Sequence, residues 1–168
     1  KRFFYPGFST LTGGLLREPG LIEQQSEFNR DFVRTRITSD PHARLVSLFC
    51  YEPAGLVSMV SAWNPNDRMW VTPGRAQAAL QMAWQRQSTL PSWPEWAIPL
   101  PHTDQAGFDR MLWSCDLNLV RGEDSLVRAL WAGKALVWQI YPQDDLAHHV
   151  KLEAFLDWLN APASLRRF

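Results

Sequence analysis

The stretch Leu117-Asn118-Leu119-Val120-Arg121-Gly122-Glu123-Asp124-Ser125-Leu126 decides the fold. Leu117 to Val120 reads as a short buried strand. Gly122 permits a tight turn, and Asp124 to Ala132 reads as a helix ended by Gly133, a natural C-terminal stop. Asp124 and Ser125 are cap-type residues, and the first N–H groups of a helix lack intrahelical partners. A strand that turns directly into such a helix is an anion site suited to a phosphate or diphosphate. Glu123 stands where acidic residues of nucleotide folds accept from a ribose hydroxyl. An ordinary capped helix after a buried strand has the same pattern, so both readings stay open at this point.

Outward from this stretch the same alternation repeats. Arg44 to Tyr51, Arg68 to Thr72, Trp96 to Leu100 and Ala135 to Tyr141 read as further strands. Gly55 to Trp63, Ala76 to Gln87, Gln105 to Cys115 and Leu146 to Leu159 read as helices. Strand–helix repeats with continuously apolar strands predict an α/β, Rossmann-like domain, its mostly parallel sheet flanked by helices on both faces. Residues 41–168 are assigned to that domain. Residues 1–40, broken by Pro6-Gly7, Gly13-Gly14 and Pro19-Gly20, are assigned to an interdomain or linker segment.

Ligands of such folds bind outside the carboxyl ends of the strands. That rule selects Cys50-Tyr51-Glu52, Thr72-Pro73-Gly74, Leu100-Pro101-His102, Arg121 to Ser125 and Tyr141-Pro142-Gln143. Gln105 and Phe108, an amide and an aromatic one helical turn apart, suit the edge and face of a nucleobase; Phe108 equally continues an apolar helix face. Tyr141 would direct its hydroxyl into the same crevice as Ser125.

Composition narrows the function. The 168 residues carry 17 Lys+Arg and 17 Asp+Glu, for a net charge of +0. A nucleic-acid or anionic-membrane binder needs a basic excess, so neither partner is expected. No apolar run approaches the roughly 20 residues of a membrane span. Cys50 and Cys115 lie in apolar runs and read as buried free thiols. His148, His149 and Glu153 include an i, i+4 pair but no third ligand, so no metal site is expected. Asp144-Asp145 reads as a cap of the last helix. The glycine fingerprints of NAD enzymes, P-loop NTPases and α/β-hydrolases are absent. The chain begins at Lys1 rather than Met, as a fragment or processed product does.

Taken together, Cys115 to Ser125, Trp131-Ala132-Gly133-Lys134 and Trp138-Gln139-Ile140-Tyr141-Pro142-Gln143 resemble the bacterial protein-arginine rhamnosyltransferases that modify translation elongation factor P. Phe3 to Phe8, Gly13 to Glu18 and Leu48 to Glu52 match in the same order. The resemblance implies one half of a GT-B glycosyltransferase, in which two Rossmann-like domains face a cleft and the C-terminal one binds dTDP-β-L-rhamnose. Rhamnose passes to an arginine guanidine nitrogen with inversion, without a metal or other cofactor, in the bacterial cytoplasm. On this chain the resemblance implies that Phe49, Gln105 and Phe108 frame the thymine. Tyr51, Asp124, Ser125 and Tyr141 hold the diphosphate. Glu123 lies near the ribose or sugar as the catalytic residue, and Arg121 organises the cleft. His102 stands where relatives are expected to carry an aromatic stacking partner.

The family's N-terminal domain, with the aspartates that act on the acceptor and most of the surface that meets elongation factor P, is expected to be missing here. A guanidinium is protonated and delocalised (pKa above about 12), so a carboxylate must orient or deprotonate it, and no residue of 1–168 is assigned that role. A non-catalytic interaction domain with a relic nucleotide fold, or a transferase using a UDP- or GDP-linked sugar, are the competing readings.

Overall fold

The computed structural model describes residues 3–87, 92–144 and 147–166. The chain divides into two compact units, residues 18–139 and residues 1–17 with 140–168. The larger unit holds five strands, β1 (Leu45–Leu48), β2 (Arg68–Val71), β3 (Ala97–Pro99), β4 (Leu117–Arg121) and β5 (Ala135–Gln139). All neighbouring pairs are parallel, in the order β3-β2-β1-β4-β5. Its helices are α1 (Leu21–Glu27), α2 (Arg30–Arg34), α3 (Leu56–Ser61), α4 (Arg75–Gln85), α5 (Gln105–Ser114) and α6 (Gly122–Ala132). This is the α/β, Rossmann-like sheet expected from the sequence.

Side chains alternate across a strand, and the core follows that rule. Met69 and Val71 join Leu48, Leu80 and the apolar faces of α3 and α4. Trp70, between them, packs instead with Met111, Leu112, Val120 and Ala129 of the other cluster. Trp93 and Trp96, the aromatic insert before β3, belong to the first cluster. Trp96 stacks on Trp63 at 4.7 Å between centroids, and the Trp93 indole N–H donates to the Ala97 carbonyl at 2.6 Å. The insert is therefore core packing.

The polar side chains of Ser47 and Asn118 lie wholly inside. Ser47 and Asn118 face each other across the β1–β4 pair, and the Ser47 hydroxyl donates to Asn118 Oδ1 at 2.6 Å. Asn118 Nδ2 donates to the Leu112 carbonyl at 3.1 Å, which ties the end of α5 to the sheet. Buried polar groups are tolerated when paired in this way.

At the amino ends of the strands, carboxylates fix the backbone. Asp116 accepts from the Leu45 N–H at 2.8 Å and from Arg34 Nη1 at 2.7 Å, and it pairs with Arg30. Burial raises the Asp116 pKa, but the Leu45 N–H and the Arg34 and Arg30 guanidiniums outweigh it and hold the carboxyl below the usual carboxylate range. Its contribution is complete above the unfolded value of about 4 and is lost as pH falls through the lower folded value. Urea midpoints of the wild type are therefore expected to drop more steeply below pH 4 than those of Asp116→Asn. Parallel profiles would contradict this.

The arginines that meet Asp116 come from α2, and α1 and α2 are the main departure from the sequence expectation. Residues 18–40 lie in the stretch assigned to a linker, yet they carry two helices and group with the sheet. Leu21 is buried, Gln25 Nε2 donates to the Ala132 carbonyl at 2.8 Å, and Glu18 pairs with Arg128. The expected boundary near residue 40 gives way to divisions at 17/18 and 139/140.

In the smaller unit, α7 (Ala147–Trp158) is followed by a 3-10 turn at Ala163–Arg166. Phe8 packs on Phe155 and Trp158, with centroids 5.7 and 4.8 Å apart. Gly13 meets the Phe4 ring so closely that an added Cβ would lie 2.0 Å from it. The His148 imidazole Nδ1 accepts from the Gln143 N–H at 3.0 Å, and Glu153 accepts from Arg166 at 3.1 Å. Asp145, read as part of a helix cap, lies outside the described residues.

Candidate functional site

The chain reverses direction across the sheet between β1 and β4, and open α/β folds bind ligands at the carboxyl ends of such neighbours. Here those ends carry Phe49, Tyr51, Arg121 and Gly122. Arg121 is the hub. Its Nη1 donates to the Cys50 carbonyl at 2.9 Å, and its guanidinium carbon lies 4.4 Å from the Phe49 ring centroid and 4.7 Å from that of Tyr51. A cation over an aromatic face is attracted by the ring quadrupole, so the three side chains hold one another. Gln139, the last residue of β5, accepts from the Tyr51 N–H at 2.8 Å. The Trp138 indole N–H donates to the Gly122 carbonyl at 2.8 Å.

Gly122 adopts φ 67°, a left-handed value that favours glycine. It carries the chain from strand to helix without an intervening residue, so α6 begins at Gly122, two residues before the expected start. The expected capping by Asp124 and Ser125 is corrected accordingly: Arg121 is the N-cap residue and no side chain caps the helix. Asp124 and Glu123 sit exposed in the first turn. Ser125 is buried; its hydroxyl accepts from the Arg121 N–H at 3.1 Å and donates to the Arg121 carbonyl. Its role here is to clasp the strand–helix junction. A Cβ added to Gly122 would also come within 3.3 Å of the Tyr51 hydroxyl oxygen, which places that hydroxyl at the head of α6.

Beside this junction lies a cavity of about 570 Å³, within the usual range for small-ligand sites. Phe49, Trp70, His102, Phe108, Arg110 and Arg121 are among its walls. Phe49 and Phe108 meet edge to face, 5.4 Å between centroids at 72°. Phe108 thus both continues the apolar face of α5 and lines the cavity. Asp104 caps α5 by accepting from the Gly107 N–H at 2.8 Å.

Gln105 is placed differently from the expectation. Its amide oxygen, oriented to satisfy both groups, accepts from Arg128 Nε at 2.7 Å, and Gln105 is not among the cavity walls. Arg128 also holds Glu18 and faces Asp109, whose carboxylate lies 3.6 Å away. The hydrogen bond from Arg128 lowers the Glu18 pKa, whereas burial dominates at Asp109 and raises it. The sequence offers no local sign of this cluster, because its members are about 110 residues apart at the extremes. Tyr141 belongs to the smaller unit and is 53% exposed.

Neither cysteine suits nucleophilic chemistry. Burial pushes the Cys50 thiol up to about 12 and the Cys115 thiol higher still, and the thiolate is the reactive form. Iodoacetamide at pH 8 is expected to leave both unmodified in the folded protein and to label both in denaturant. Fast labelling of the native chain would contradict the burial. Among the described residues no group of three or more His, Cys, Asp or Glu side chains is arranged to hold a metal ion, and no helix is long and apolar enough to cross a membrane.

Comparison with known proteins bears on what such a site does. A family model described as "Elongation-Factor P (EF-P) rhamnosyltransferase EarP" matches residues 1–167. The chain belongs to this family. It is 43% identical to a protein-arginine rhamnosyltransferase of Pseudomonas putida over 93% of its length, and 40% identical to that of Pseudomonas aeruginosa over 94%. It spans 45% and 46% of those two relatives, so about half of each has no counterpart in it. A solved structure described as "Structural basis for EarP-mediated arginine glycosylation of translation elongation factor EF-P" matches with a TM-score of 0.71 and 36% identity, covering 92% of this chain and 53% of that one.

Proposed function

We propose that this chain is the donor-binding half of an inverting glycosyltransferase that moves L-rhamnose from dTDP-β-L-rhamnose to an arginine of translation elongation factor P, in the bacterial cytoplasm. The observation that carries this reading is the Phe49–Arg121–Tyr51 cluster set at the head of α6 and beside the Phe108 cavity. It joins an aromatic recess for a base to a cationic, uncapped helix start for phosphates.

In this reading the thymine stacks on one ring of the edge-to-face Phe49–Phe108 pair and abuts the other. Gln105, engaged by Arg128, acts by holding the start of α5 in place. The diphosphate lies against Tyr51 and the first turn of α6 with Asp124, while Ser125 fixes the turn that presents those amides. Glu123 faces the ribose or sugar as the catalytic carboxylate. Transfer forms a bond from a guanidine nitrogen to C1 of rhamnose and breaks the bond from C1 to the diphosphate oxygen. The electron pair leaves with dTDP and the guanidinium proton goes to a carboxylate. That carboxylate, and most of the surface for elongation factor P, belong to the half of the longer relatives that this chain does not span. Positive charge from Arg121 and the start of α6 meets the leaving diphosphate, and the reading needs no metal.

Calorimetric titration tests it. dTDP is expected to bind more tightly than UDP or GDP, and Ser125→Ala is expected to weaken dTDP about tenfold by loosening the junction. Silence at millimolar dTDP would contradict the proposal. Equal binding of all three nucleotides would favour another sugar-nucleotide donor.

A further inference from the structure

We propose that Arg75 is a second guanidinium for the donor's diphosphate, acting with Arg121 beside the Tyr51 ring. The inference rests on the donor-site reading above and adds a residue to it. Arg75 opens α4, directly after the carboxyl end of β2 and Gly74. Its guanidinium carbon lies 5.7 Å from the Tyr51 ring centroid, and that of Arg121 lies 4.7 Å from the same centroid. The two cations are therefore no more than about 10 Å apart, with the Tyr51 hydroxyl directed to the start of α6.

Several arginines of the larger unit are already neutralised by carboxylates. Arg30 and Arg34 are neutralised by Asp116, Arg44 by Asp67 and Arg128 by Glu18. Arg75 forms no ion pair with another described residue, and it is exposed. Two like charges brought to one aromatic ring repel each other, and an anion placed between them relieves that repulsion. A diphosphate is the matching ligand. It offers oxygens to both guanidiniums at once, and charge-assisted bonds of this kind are the stronger class. A nucleoside, which lacks phosphates, gains nothing from Arg75.

The test compares thymidine, dTMP and dTDP on the wild type, Arg75→Ala, Arg75→Lys and Arg75→Glu, by calorimetry on the full chain. Arg75→Ala is expected to weaken dTDP about tenfold or more, to leave thymidine unchanged and to flatten the salt dependence of dTDP binding. Arg75→Lys is expected to restore part of the affinity, and Arg75→Glu to weaken dTDP further than alanine does. Unchanged dTDP binding in Arg75→Ala and Arg75→Glu would overturn the proposal. So would an equal loss for thymidine, because Arg75 would then act through the shape of the site. A wild type that binds neither thymidine nor dTDP would instead overturn the donor-site reading itself.

Discussion

Asn118→Ala is expected to lower stability by about 2–5 kcal/mol. Asn118 is fully buried at the centre of the sheet, where it accepts from Ser47 and donates to the Leu112 carbonyl. Alanine takes a partner from the Ser47 hydroxyl and from the Leu112 carbonyl and opens a void between them. Removing one partner of a buried bond costs more than the bond itself contributes, because the survivor stays desolvated. For a chain of this size each kcal/mol moves Tm by about 2–4 °C, so a fall of roughly 5–15 °C is expected by calorimetry. Ser47→Ala leaves the Leu112 bond in place and is expected to cost less. A Tm unchanged within a degree in Asn118→Ala would show that the buried pair does not hold β1 to β4.

Phe108→Ala is expected to have the largest effect on the site. Stacking of a base on an aromatic ring contributes about 1–3 kcal/mol, so dTDP affinity should fall roughly 5–150-fold. Phe108 also touches the second core cluster, and alanine will cost some stability. Phe108→Tyr separates the two roles: it retains the stacking face and is expected to recover most of the affinity. If Phe108→Ala binds dTDP as the wild type does, the cavity does not receive the base.

The strands were legible because each is a short, largely apolar run soon followed by a glycine or proline, and parallel strands covered on both faces need no polar alternation. Other features were hidden for identifiable reasons. The run Gly122-Glu123-Asp124-Ser125 looks like a cap before a helix, yet the positive φ of Gly122 starts the helix at once and turns Ser125 back onto Arg121. The helices α1 and α2 lie among turn-forming residues and are short. They are secured by Arg30 and Arg34 on Asp116 and by Glu18 on Arg128, partners more than 80 residues away. No local pattern can carry that information. Gln105 illustrates the same limit, since its amide is taken by an arginine from another helix. Tyr51 and Arg121, in contrast, were selected by position, because a parallel sheet brings the carboxyl ends of its strands to one edge, whereas Phe49 entered only through the family resemblance and Phe108 through its place one turn after Gln105 on α5.

The most direct test is a crystal structure of this chain soaked with dTDP. The thymine is expected against Phe49 and Phe108, with the diphosphate between the Arg121–Tyr51 cluster and the first turn of α6. Nucleotide density elsewhere, or an empty cavity at a saturating concentration that leaves the crystals intact, would contradict the account.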